Sequence, residues 1–201
     1  MKRNKNLFYF INKPIKIFVY KKEGKYIMKK LFKFAPLCAL LLAAVAFILM
    51  MATKSLVYSN GNLSGWYDGP AAIFGKGQSQ AAWGGISAAG EFEGKLAWNA
   101  LLAWIFVLVA LLALLIGSIM VFVKIKALEK FGGLIALVAG GLLLVAGIFL
   151  FFTLPAFAGA NEWNNTDNFA LGGGWIVAAI LNILAGVVSA FPAVAALVEK
   201  K

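Results

Sequence analysis

The sequence predicts an all-α integral membrane protein: a four-transmembrane-helix bundle with one partly ordered outer loop between its first two spans. Three observations predict it. Of the 201 residues, 62% are hydrophobic and 13% charged, with a mean hydropathy of +0.87, too apolar for a water-solvated surface. Four apolar stretches, at about 35–52, 97–123, 132–154 and 175–198, carry no Asp, Glu, Lys or Arg. Each is long enough for a helix rising about 1.5 Å per residue to cross a hydrocarbon core of about 30 Å. Finally, the basic residues cluster at alternate ends of those stretches, as membrane topology requires.

Residues 1–34 form a basic segment. Within 1–27, Lys2, Arg3, Lys5, Lys13, Lys16, Lys21, Lys22 and Lys25 stand against Glu23, a net +7 of the total +11. The interleaved aromatic residues suit an amphipathic arm on an anionic leaflet, although Pro14 and the Val19-Tyr20 pair make a poor helix. A second reading is that 1–27 are not translated. Lys22-Glu23-Gly24 can be encoded by a purine-rich run resembling a bacterial ribosome-binding site, and a conventional membrane-protein start begins at Met28. The positive charge does not point to nucleic acid, because the basic groups lie at the ends of apolar runs rather than on one platform.

The stretch 35–52 reads as an uncleaved first span. It is longer than a signal-peptide core of about 7–15 residues and ends Met50-Met51-Ala52-Thr53, without a small-x-small cleavage site. Cys38, the one cysteine, excludes an internal disulfide and follows a poor lipidation context, Ala35-Pro36-Leu37. The outer loop 53–96 opens with a hairpin signal, in which Leu56 to Ser59 precedes Asn60-Gly61, a pair suited to the positive φ angles of a type I′ turn. The second half, 69–94, is rich in Gly, Ala, Ser and Gln, which bury little area, so a loosely ordered loop is expected there. Trp66, Tyr67 and Trp83, with Phe74, are candidates for a partner surface or a headgroup belt, the belt being favoured.

The span 97–123 begins at Trp98 and Asn99 and lacks a continuous stripe of small residues, which suits lipid contact and general packing. A short basic link with Lys124, Lys126 and Lys130 demands an antiparallel neighbour, the span 132–154, which Pro155 is expected to end. The second outer loop, 155–174, bears Glu162 and Asp167 and no basic residue. The span 175–198 follows, kinked at Pro192, with a tail at 199–201. From Met28 onward, eight lysines fall on the terminal side and three in the two longer loops, which places both termini in the cytoplasm, most simply of a bacterial cell membrane.

Chemistry-bearing patterns are scarce. The chain has no histidine, and no nucleophile, metal-ligand cluster or charged intramembrane group accompanies the paired Glu91 and Glu93. Neither a metal nor a cofactor is expected, and the chain is not expected to be an enzyme. Gly84-Gly85 and Gly172-Gly173-Gly174 lack the Gly-Lys-Ser/Thr of a phosphate loop and read as hinges at span ends. The candidate functional positions are therefore packing ones. Gly132, Ala136, Gly140 and Gly147 form a small stripe on the third span, and Ala178, Asn182, Gly186 and Ala190 one on the fourth. Such stripes let helices approach closely, with Asn182 as interhelical glue.

Four spans, cytoplasmic termini, Gly65-Trp66 in a long first outer loop with a hairpin signal, and a short second loop together resemble the layout of claudins and related tetraspan proteins. The resemblance is architectural. Those families carry Gly-Leu-Trp followed by two cysteines, whereas Gly65-Trp66-Tyr67 has no intervening leucine and the loop has no cysteine, so it implies no barrier or adhesion role here. A structural or accessory membrane component is the expected function. An oligomeric channel or facilitator is the alternative, and a sensor or binding module acting through 53–96 the third reading. The lipid bilayer, a second copy of the chain and other membrane proteins are the expected partners, and nucleic acid is not.

Overall fold

Among the residues described by this computed structural model, 34–122 and 126–198, four helices are long and apolar enough to cross a membrane. In chain order the helices are α1 (Phe34–Ala52), α2 (Gly69–Phe74), α3 (Trp98–Phe122), α4 (Lys126–Phe151), α5 (Thr153–Ala160) and α6 (Gly173–Val198), of which α2 and α5 are short. The expectations for the basic arm, Lys124, the Pro192 side chain and the 199–201 tail lie outside the described residues.

The four long helices fit a multi-pass membrane protein. The all-α expectation is corrected, because both connectors at one end of the helices fold into a five-stranded antiparallel sheet. Its strands are β1 (Lys54–Asn60), β2 (Leu63–Asp68), β3 (Lys76–Trp83), β4 (Ile86–Glu93) and β5 (Phe169–Leu171), in the spatial order β4-β3-β2-β1-β5. The first four come from one connector. The fifth comes from the other and pairs with β1, Tyr58 opposite Phe169 and Leu56 opposite Leu171.

The expected β1–β2 hairpin is present, with its turn displaced by one residue. Asn60 pairs with Leu63, so Gly61 and Asn62 are the central residues, and only Gly61 has positive φ (57°). That is the type II′ pattern rather than I′. The loosely ordered loop expected over 69–94 is instead α2 and an eight-pair β3–β4 hairpin. Gly84 and Gly85, read above as a hinge, are its two-residue turn, both at positive φ (56° and 86°).

The small residues that suggested disorder serve close approach. Asp68 caps α2, its carboxylate accepting from the Ala71 and Gln78 amides at 2.9 Å each. A side chain at Gly77 would fall on that carboxylate, and one at Gly69 on the Met50 carbonyl oxygen. Gly75 ends α2 in the left-handed region, φ 72°, where glycine carries no Cβ penalty.

Helix packing is built on small residues. On α3 the buried positions include Ala100, Ala103, Val107, Ala110, Leu114, Gly117 and Val121, alternately three and four residues apart, with Asn99 and Ser118 buried beside them. Gly117 meets α4 there: a Cβ on Gly132 would lie 2.9 Å from the Gly117 carbonyl oxygen. The sequence assigns this span to lipid contact and general packing; the structure adds a seam against α4, whose positions repeat in side-chain size while the faces are mostly apolar.

The remaining small positions divide between neighbours. Gly140 and Gly147 of α4 face α6, where added Cβ atoms would come within 2.8 Å of the Gly186 and Ala179 carbonyl oxygens. Gly132, with Ala136 beside it, faces α3 instead. Ala178 is buried and Ala190 partly buried on α6. Asn182 is buried against α1, its amide 4.0 Å from the Met50 sulfur.

Replacing Gly140 with leucine is expected to destabilise the protein by about 1–3 kcal/mol through overpacking. Leucine at the adjacent Gly141, where an added Cβ meets nothing, should change little. Unfolding midpoints in detergent micelles distinguish the two.

The third span also ends differently from expectation. The chain breaks at Phe152 and re-enters a helix with Pro155 in the first turn of α5, where a missing N–H leaves no bond unmade. The exposed end of α4 is satisfied from α3, the Asn99 amide donating to the Phe149 carbonyl at 2.9 Å.

Candidate functional site

Strand side chains alternate between faces, so the register assigns each to one side of the sheet. On one face, Phe169, Tyr58, Gly65, Ala81 and Ala88 form a cross-strand row. The next row toward the helices is Leu171, Leu56, Tyr67, Ser79 and Gly90. The row at the hairpin tips is Leu63, Trp83 and Ile86.

The helix-proximal end of this face is closed by aromatic packing. Phe157 of α5, fully buried, has its ring centroid 5.6 Å from that of Tyr67, 5.5 Å from Phe92 and 5.3 Å from Trp163. Trp163 continues to Phe169 at 4.5 Å, and Phe169 to Tyr58 at 4.8 Å. Asn161 pins α5 to the segment before α3, its side-chain oxygen accepting from the Lys95 amide and its nitrogen donating to the Lys95 carbonyl.

Beyond that cluster the face is open. Glycine, alanine and serine across three adjacent strands leave a trough of about 420 Å³, continued by about 240 Å³ toward the tip beneath Trp83 and Ile86. Tyr58 and Phe169 wall one side, Tyr67 closes the inner end and Leu63 stands toward the tip. Among the described residues none that lines it is charged. The Tyr58 and Tyr67 hydroxyls have no hydrogen-bond partner among the described residues. Partial burial raises the Tyr67 phenol above its ordinary value, so it is a neutral donor at physiological pH.

The predicted aromatic candidates separate. Tyr67 belongs to the trough and its closing cluster. Trp66 lies in the alternate row with Gln80, its ring centroid 5.2 Å from the Lys54 ammonium. Trp83, 71% exposed, forms the hairpin tip with Ile86, 76% exposed. Phe74 packs edge-on to Trp104 of α3 at 5.3 Å, beside the helices.

Among the described residues two ion pairs lie outside the trough. Lys76 meets Glu93 at 2.8 Å and Lys95 meets Glu162 at 2.6 Å, all four well exposed. The lysine hydrogen bond, then its charge, lowers each glutamate below the usual range, and Glu93 likewise raises Lys76. The carboxylate contributions are thus present above the ordinary glutamate value and lost as pH falls through the lowered ones. The Lys76 contribution is lost only as pH rises through its raised value. Among the described residues no three His, Cys, Asp or Glu side chains gather to hold a metal.

Sequence reasoning missed Tyr58, Phe157, Trp163 and Phe169, which come from both connectors and meet only in the folded sheet. Alternation at Leu56 and Tyr58 was a usable signal for part of it. No protein-family model matches this sequence, and no curated protein matches it either.

Proposed function

We infer that this chain is a non-catalytic accessory component of a bacterial-type cytoplasmic membrane, with both termini in the cytoplasm and the sheet serving as an outer-face recognition module. The observation that carries this reading is the open, uncharged trough held on a sheet that both connectors build. The charge count of the sequence supports the orientation. A concave, mostly apolar surface with a few polar groups is the usual form of a binding site. The helices supply the anchor: their contacts run through alanine and glycine backbones brought close together.

Two measurements test it in cells. In a Cys38→Ala background, Ser79→Cys and Asn164→Cys are expected to react with an impermeant maleimide from outside, and Ala127→Cys only after permeabilisation. A photocrosslinking residue at Trp83 is expected to give discrete adducts that one at Leu112, on the exposed surface of α3, does not. Reaction of position 127 from outside overturns the orientation. Solute or ion flux through the purified protein in vesicles, lost on Asn182→Leu, replaces the accessory reading with a channel.

A further inference from the structure

Resting on the recognition-module reading, we propose that the trough is a binding site for an uncharged carbohydrate chain. Its lining is the observation that selects this class. A sugar ring presents an apolar C–H face edged by neutral hydroxyls, and it carries no charge to be matched. The trough offers the complement. Tyr58 and Phe169 supply aromatic surface, attractive to polarised C–H groups through the negative ring face. Among the described residues the Tyr58 and Tyr67 hydroxyls have no partner, and Ser79 Oγ reaches only the Gly90 carbonyl, at 3.5 Å. The Tyr67 ring is held by Phe92, Phe157 and Trp163, so its hydroxyl is presented in a fixed place without loss of side-chain freedom on binding.

The floor explains the composition of β3 and β4. Gly65, Ala81, Ala88 and Gly90 keep side chains out of the volume that a ring would occupy, and an added Cβ on Gly90 would meet nothing within 4 Å. Other occupants fit less well. An anion or cation would find no countercharge among the lining residues. An acyl chain would leave the tyrosine and serine hydroxyls unpaired. An extended peptide has a better place at the free edge of β4, where it adds main-chain hydrogen bonds.

The test uses the purified full chain in detergent micelles, with cellotriose and chitotriose as probes and saturation-transfer NMR as readout. Both the unsubstituted protein and a Gly141→Phe control on α4 are expected to bind at least one of the two. Gly90→Phe fills the floor without a clash and is expected to abolish binding. Tyr67→Phe keeps the ring, removes one hydroxyl, and is expected to weaken binding about threefold to tenfold. Failure of both trisaccharides to bind overturns the proposal, as does undiminished binding by Gly90→Phe or displacement of the sugar by an apolar dye or an uncharged peptide. If binding fails while the Trp83-position adducts persist, the carbohydrate assignment falls and the recognition module stands. Loss of those adducts with sugar binding retained leaves the carbohydrate assignment standing and removes only a protein partner at the hairpin tip.

Discussion

Alanine at Gly172 is expected to unseat the sheet from the helices, at a cost of about 3 kcal/mol or more, while alanine at the next residue, Gly173, is nearly silent. The added Cβ of Gly172 falls directly on the Lys54 carbonyl oxygen, and backbone cannot swing aside as a side chain can. The same residue donates its amide to the Ser55 carbonyl at 2.9 Å, which seats β5 on β1 where α6 begins. At Gly173 an added Cβ meets nothing within 4 Å. Protease resistance of the 53–96 segment, read beside the unfolding midpoint in micelles, reports the difference. Equal behaviour of the two variants refutes this account of the junction.

Truncating Phe157 to alanine is expected to cost about 3–5 kcal/mol, the range for removing a fully buried phenylalanine. It touches Tyr67 of β2, Phe92 of β4 and Trp163 of the second connector, so its loss leaves a cavity shared by three segments. A red shift of tryptophan emission should accompany the destabilisation as Trp163 gains water. Phe157→Leu retains most of the volume and should recover part of the stability, which a purely local helix effect on α5 would not produce.

These two positions also show what could be read from residues alone. The four long apolar helices were legible because a charge-free run of crossing length is a one-dimensional property. The seam on α3 was not, because its faces are mostly apolar and only size repeats, from Ala103 to Ala110 to Gly117. The 69–94 segment was misread for a related reason. Small residues there bury little area individually, but Gly69 and Gly77 are small because the Met50 carbonyl and the Asp68 carboxylate press against them. That need appears only when distant pieces meet. β5, three residues long, has no periodicity to detect. Trp66, Tyr67 and Trp83 stand out in the sequence by residue type, yet their division among two faces and a tip depends on register, which one-residue shifts reverse.

The place of β5 has a consequence for biosynthesis. The four strands of the first connector can pair as soon as that connector leaves the ribosome, but the outer edge of β1 then waits for Phe169–Leu171, delivered only after α4 and α5. Until then β1 presents a row of unmatched amides and carbonyls, the surface on which strands of neighbouring chains add. A polypeptide stalled before its last helix is thereby marked as unfinished by its own exposed edge, and a finished one erases the mark with three residues.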